Sequence, residues 1–308
     1  MAITAADDRL APVAAAAAAA QAGEEVQGRS LWADARRRLF RNRAALVSMV
    51  VLALIALAAV LAPFLSPHPF DEVYWERISA PPDLANAHWF GTDGNGRDLF
   101  VRTLYGARVS LAVGIAATLV SLAIGVVYGA TAGFLGGKVD EVMMRFVDVL
   151  YSLPFMFFVI ILVVVFGRNI VLIFIALGAV EWLTMARIVR GQTLSVKRRE
   201  FIEAARAAGV PTWRTILRHV VPNVMGPVVV YVTLTVPEVI ITESFLSFLG
   251  LGVQEPYTSW GVLISEGAGQ MESAPWMLVF PAAFLAVTLF CFNFIGDGLR
   301  DALDPKDR

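Results

Sequence analysis

The chain has 308 residues, of which 57% are hydrophobic and 17% charged, and its formal net charge is −1. A soluble domain carries about a quarter charged residues and a nucleic-acid binder a strong basic excess, so composition argues against both classes. The single cysteine, Cys291, permits no intrachain disulfide and supplies no cysteine metal cluster.

In chain order, the first element is an alanine-rich tract, "APVAAAAAAAQAGEEVQG". A signal peptide competes for this segment, but acidic Asp7 and Asp8 precede a core made mostly of alanine, which favours a disordered or loosely helical cytoplasmic tail over residues 1–29. "SLWADARRRLF" then sets Leu31, Trp32, Ala35 and Leu39 at helical spacing with arginines opposite. Two readings stay open there, an amphipathic helix in the membrane interface and simple topogenic charge.

Six apolar blocks follow, near 44–65, 108–133, 146–166, 170–190, 224–249 and 277–296. A bilayer core of roughly 30 Å takes about 20 apolar residues as helix, and apolar runs of this length satisfy their backbone in lipid only as helices. The expected fold class is therefore an all-α integral membrane protein with six transmembrane helices. Asp148 and Pro154 interrupt the start of the third block.

Short basic loops stay inside. "RRRLFRNR" precedes the first block, and 186–222 carries Arg187, Arg190, Lys197, Arg198, Arg199, Arg206, Arg214 and Arg218. Residues 250–276 carry Glu255, Glu266 and Glu272 but no Lys or Arg. Both termini are thus expected in the cytoplasm, with 66–106 and 250–276 outside.

Within the second block, Ala117, Ser121, Gly125, Gly129, Gly133 and Gly137 recur every four residues. Small residues at that spacing let helix backbones approach closely in lipid. The stripe faces either a partner subunit or this chain's own helices; spacing does not choose. Asp148, Glu181, Glu238 and Glu243 lie in or near apolar blocks, where a mid-membrane charge costs about 2.5–3.5 kcal/mol on insertion scales. Such residues face a pathway or make a satisfied interhelical hydrogen bond. Pro237, before Glu238, suggests a broken helix beside a translocation path.

"FIEAARAAGVPTWRTILRHVVPN", residues 201–223, reads as two short helices. Phe201, Ala204, Ala205 and Ala208 make one apolar face, Gly209 terminates it, and Pro211 opens a second helix with Trp213, Ile216, Leu217 and Val220 on one side. Helices under about 12 residues are marginal in water, so these faces need burial, on the bundle or on a soluble partner. Elsewhere, "GFLGGKVD" fails the phosphate-loop pattern at Ala132 and Val139. "DGNGRD" fails as a calcium loop because Arg97 takes a ligand position. His68, His88 and His219 share no ligand spacing, and no nucleophile–base arrangement is present. No cofactor, metal or catalytic residue is expected.

Glu203-Ala204-Ala205, then Gly209 and Pro222, resemble the EAA loop of ABC importer permeases. The usual motif has Ile where His219 stands and Leu where Val221 stands, a departure similar to the peptide-importer branch. "FGTDGNGRDLFVRTLYGARVSL" (90–111), "RFVDVLYSLP" (145–154), "ESFLSFLGLGV" (243–253) and "SWG" (259–261) resemble the dipeptide/oligopeptide/nickel permeases, of the second, shorter-loop type. The resemblance covers roughly residues 30–305. It implies the type I importer permease fold, with a cytoplasmic coupling helix in which Glu203, Ala204, Ala205, Gly209 and Trp213 dock an ATPase. It also implies a second permease subunit, two ATP-binding subunits or domains, an external substrate-binding protein, and ATP hydrolysis outside this chain. Peptides are the first substrate class, nickel or another small solute the next; an ion-coupled secondary transporter using the buried carboxylates is the rival mechanism. The expected organisation is an interfacial helix, first span and external loop over 30–106, a five-span permease core over 107–300 and a cytoplasmic tail over 301–308. The expected location is a bacterial inner membrane.

Overall fold

The computed structural model describes residues 31–167 and 170–303. The expected tail 1–29 and residues 304–308 lie outside them. In chain order the helices are α1 (Leu31–Arg41), α2 (Arg43–Leu65), α3 (Leu99–Leu135), α4 (Gly137–Ser152), α5 (Phe155–Phe166) and α6 (Ile170–Val196). They continue as α7 (Glu200–Ala207), α8 (Thr212–Thr215), a π-turn (Ile216–Val220), α9 (Val221–Phe248), α10 (Trp260–Ala268) and α11 (Trp276–Leu303). Among the described residues, strand pairing is limited to two isolated bridges, Asp83 with His88 and Thr92 with Asp98. Four helices there are long and apolar enough to cross a membrane: α2, α3, the continuous run Thr212–Phe248, and α11.

Capping fixes where the helices begin. Asn42 accepts the Ala45 N–H at 3.1 Å and starts α2; Asp98 accepts the Val101 N–H at 2.8 Å and starts α3 nine residues before the expected span. Each satisfies a donor that the first helical turn leaves orphaned. Helix α2 turns Ile55, Ala59 and Ala62 inward and leaves Val47, Val50, Leu54, Leu57 and Phe64 exposed. That outward row of apolar side chains suits lipid. Pro63 lies inside α2 and cannot donate to the carbonyl four residues back, Ala59. Arg108 of α3 fills the role, donating from Nε to the Ala59 carbonyl and from Nη2 to Val60 at 2.7 Å. Its guanidinium also covers the Tyr105 ring, 4.4 Å from the centroid.

The third expected span is two helices. Pro154 restricts the residue before it to extended backbone, and Leu153 takes φ −75°, ψ 130°. Helix α5 is then only 12 residues, about 18 Å long. The expected break at Pro237 is absent: α9 runs unbroken through Pro227 and Pro237. A single missing donor is tolerated inside a packed membrane helix, and Pro237 is buried.

The two segments expected on one side of the membrane meet at one end of the bundle. Arg97 donates to Glu255 at 3.0 Å, Ser79 to Gln270 at 2.9 Å, and the Trp276 indole to the Thr92 carbonyl at 3.4 Å. Trp260 of the "SWG" stretch is fully buried and donates its indole N–H to the Thr103 carbonyl at 3.1 Å, while Ser259 caps α10.

Candidate functional site

Helix α7 sits where the EAA-like residues were expected, one residue earlier than 201–208. Its C-terminus is a Schellman turn: Gly209 N–H bonds Arg206 O at 2.9 Å and Val210 N–H bonds Ala205 O at 3.0 Å, with Gly209 at φ +71°. The helix is anchored by Ile202, which is fully buried in one core cluster with Phe134, Val189, Ile216 and Val220. Sequence reasoning missed Ile202 because it assigned the buried face to the alanines. Phe201, Glu203, Ala204 and Ala208 are exposed and Ala205 is half-buried.

The second expected face divides. Ile216 and Val220 enter the core, but Trp213 is 52% and Leu217 44% exposed. A π-turn, in which the Val221 N–H bonds Ile216 O, spends one extra residue and rotates the register. It precedes Pro222, which removes the next donor; the Asn223 side chain donates to His219 O at 2.7 Å beside it. Phe201, Trp213 and Leu217 thus remain as uncovered apolar side chains around the Gly209 turn.

The glycine stripe lies against this chain's own α6. A Cβ on Gly125 would meet Met185, one on Gly129 the Ala186 carbonyl and Val189 Cβ at 2.9 Å, and one on Gly133 the Arg190 carbonyl at 2.9 Å. Gly137 does not belong to the stripe. Gly136 and Gly137 take φ +70° and +57°, which ends α3 at Leu135, and nothing lies within 4 Å of a Cβ at Gly137.

The four acidic residues part into three settings. Asp148 is exposed and paired with Arg187 at 2.8 Å, whose guanidinium also covers Tyr151. Glu243 is fully buried and accepts from Ser247 at 2.7 Å and Ser110 at 3.2 Å, tying α9 to α3. Ser110 in turn accepts the Trp260 N–H, so this carboxylate closes an interhelical network. Glu181 and Glu238 come together on a cavity of about 380 Å³ between α4, α5, α6 and α9.

The end of the bundle where 66–106 meets 250–276 carries an ion cluster whose partners come from both segments. Asp93 bonds Arg97 Nε at 2.8 Å and lies 3.1 Å from the fully buried Arg102, which faces Glu266 at 3.8 Å. Burial works against the Arg97 charge, but Asp93 and then Glu255 outweigh it and hold its pKa above the ordinary value. Burial, partly offset by Arg102, pushes the Glu266 carboxyl up. Arg97 and Glu255, one bonded pair of the cluster, are 158 positions apart in sequence, so only the fold reveals it. His68 and His88, which share no spacing, stack at 4.0 Å with planes 13° apart, and with Asp98 their ligand atoms fall within 4.8 Å. Parallel rings do not converge their lone pairs on one ion. The nitrogens bond Tyr74 Oη, Asn86 O and Asp98 Oδ2 instead.

The family model "Binding-protein-dependent transport system inner membrane component" matches residues 121–308. "N-terminal TM domain of oligopeptide transport permease C" matches residues 30–82. The chain is 63% identical over 284 residues to the oligopeptide transport system permease protein OppC of Escherichia coli K12, covering 92% of this chain and 94% of that protein. It is 60% identical to the Haemophilus influenzae protein of the same name, covering 92% and 91%. Identity to the dipeptide transport system permease protein DppC of Bacillus subtilis is 48%, covering 89% and 86%.

Proposed function

The chain belongs to the family of binding-protein-dependent transport system inner membrane components, and from that premise we propose that it is the permease subunit of an ATP-driven peptide importer. It crosses the inner membrane six times, through α2, α3, α5 with the end of α4, α6, α9 and α11, with both termini in the cytoplasm. Residues 107–300 form the permease core. A second permease subunit completes the translocation path, an external binding protein delivers di- or oligopeptides, and separate ATPase subunits supply the energy.

The observation that carries this reading is the Gly209 turn with its surroundings. Helix α7 is pinned by one buried side chain, Ile202, and presents Phe201, Glu203, Ala204 and Ala208 outward beside exposed Trp213. In our reading this surface, with Ala205, is what an ATPase subunit grips, so that closure of the ATPase pair moves α7 and, through the π-turn, α9. Alternating access follows when such a lever biases a two-state bundle.

The test is uptake of a labelled tripeptide by proteoliposomes holding the whole complex and its binding protein. Uptake is expected to follow ATP and to ignore a collapsed proton gradient. Uptake that persists without ATP and stops with a protonophore would replace this reading with an ion-coupled transporter using the carboxylates.

A further inference from the structure

The cavity between α4, α6 and α9 holds two carboxylates that the fold leaves unanswered. Among the described residues neither the Glu181 nor the Glu238 carboxylate has a hydrogen bond or an ion pair, whereas Asp148 has Arg187 and Glu243 has two serine hydroxyls. Glu181 is half-buried and Glu238 exposed, so the cavity opens on the side of Glu238. Its walls include Tyr151, Phe158, Thr184 and Thr242. The volume, about 380 Å³, is within the roughly 300–1,000 Å³ of small-molecule sites, and so is the mix of apolar wall and a few polar groups.

An ionisable side chain at membrane depth is retained where it meets a counter-charge or a water-filled path. Two carboxylates without partners on one small cavity sharpen that requirement, because like charges repel in a low-dielectric setting. A cation entering the cavity relieves both. A hard divalent ion asks for six or more oxygen ligands, and these apolar walls do not surround a point with that many. An ammonium has three donors on one nitrogen, which two carboxylates and one threonine hydroxyl can receive.

We propose that Glu181 and Glu238 form the subsite that receives the α-ammonium of a transiting peptide, with Tyr151 and Phe158 walling its first side chain. The ammonium is the one cation every unblocked peptide carries, whatever its side chains. Recognising it lets one site serve many sequences. This rests on the permease reading above and adds to it the end of the substrate that this chain holds.

The test uses the complete complex in proteoliposomes with two tripeptides, photoleucine-Ala-Ala and Ala-Ala-photoleucine, illuminated during ATP-driven turnover. Label from the first peptide is expected at 179–184 and 238–242, and at least tenfold less from the second. The double variant Glu181→Gln, Glu238→Gln is expected to lose that labelling and at least tenfold of tri-alanine uptake. Equal labelling by both peptides, or no labelling of these segments by either, overturns the proposal even if the variant fails to assemble. Wild-type uptake by an assembled double variant overturns it too, while leaving the importer reading in place. Uptake that ignores ATP in the wild type would instead remove the importer reading itself.

Discussion

Replacing Gly129 by leucine tests the contact that joins α3 to α6. A Cβ there would lie 2.9 Å from Val189 Cβ and 3.0 Å from the Ala186 carbonyl carbon, with the Ala186 oxygen closer still. Carbon atoms pack at about 3.5–4.0 Å, so the helices must separate by roughly 0.5–1 Å, and the obstacle is backbone that no rotamer change removes. Alanine would gain up to about 1 kcal/mol of helix propensity against about 1–3 kcal/mol of overpacking, leaving an ambiguous balance. Leucine pushes three further carbons into the same wall, and a loss of at least about 3 kcal/mol is expected. At roughly 2–4 °C per kcal/mol for a chain of this size, the unfolding midpoint should fall by about 6–12 °C. Cys291, the only cysteine and 5% exposed, serves as reporter through a thiol-reactive dye followed on heating in detergent. A Cβ added at Gly191 of α6 would meet nothing within 4 Å, so Gly191→Leu should leave the midpoint near that of the wild type. A Gly129→Leu protein with an unchanged midpoint would refute the reasoning.

Four further outcomes follow from the same geometry. Gly209→Val meets no neighbour but strains a φ of +71° by about 1–2 kcal/mol; ATPase pull-down should be lost while the partner permease stays bound, and Gly209→Asn should restore much of it. Ile202→Ala removes the buried anchor of α7, a change that costs about 2–5 kcal/mol in well-packed cores, and hydrogen exchange over 200–208 should rise with little change elsewhere. Asp83 is held down to about 2 by hydrogen bonds from Asn86 and then Arg77. A depressed carboxyl contributes above its unfolded pKa of about 4 and loses that contribution as pH falls toward 2, so the difference in protease resistance of loop 66–98 between wild type and Asp83→Asn should be the same at pH 7 and pH 5 and shrink below pH 4. For topology, a cysteine at exposed Tyr257 in a Cys291→Ser background should label from outside intact cells and one at Ser195 should not; Ser259 is unsuitable because it is fully buried.

What the sequence made legible depended on how local the cause was. Apolar runs, the Gly209 turn and the glycine spacing each express a rule acting over three to twenty residues; the Gly209 turn and Gly125, Gly129 and Gly133 appear where expected, while Gly137 leaves the stripe and the third apolar run is two helices. Pro154 was legible as an interruption of the third block, and the Gly136–Gly137 break falls just past the expected end of the second, at 133; what spacing did not show is the left-handed backbone that takes Gly137 off the stripe. The π-turn was hidden because its effect is a one-residue rotation that leaves the hydrophobic spacing of Trp213, Ile216, Leu217 and Val220 looking intact. The Asp93, Arg97, Arg102, Glu255 and Glu266 cluster could not be read at all, since its members meet only once 66–106 and 250–276 fold together, and the His68–His88 stack appears only once 66–98 folds on itself. Ile202 shows a subtler limit: alanines offered a tidy face, yet the larger side chain gains more from burial and took the core.

The bond from Arg108 to the carbonyl opposite Pro63 makes the two positions interdependent in their mutational history. With Pro63 present, loss of Arg108 strands the Ala59 carbonyl in an apolar setting, a defect of about 1–3 kcal/mol. With an ordinary residue at 63, the backbone supplies its own donor and Arg108 becomes dispensable for that bond. Variants can therefore shed the proline first and the arginine second at little cost, but not in the reverse order. A double-mutant cycle on Pro63→Ala and Arg108→Leu would register this epistasis as a pronounced departure from additivity.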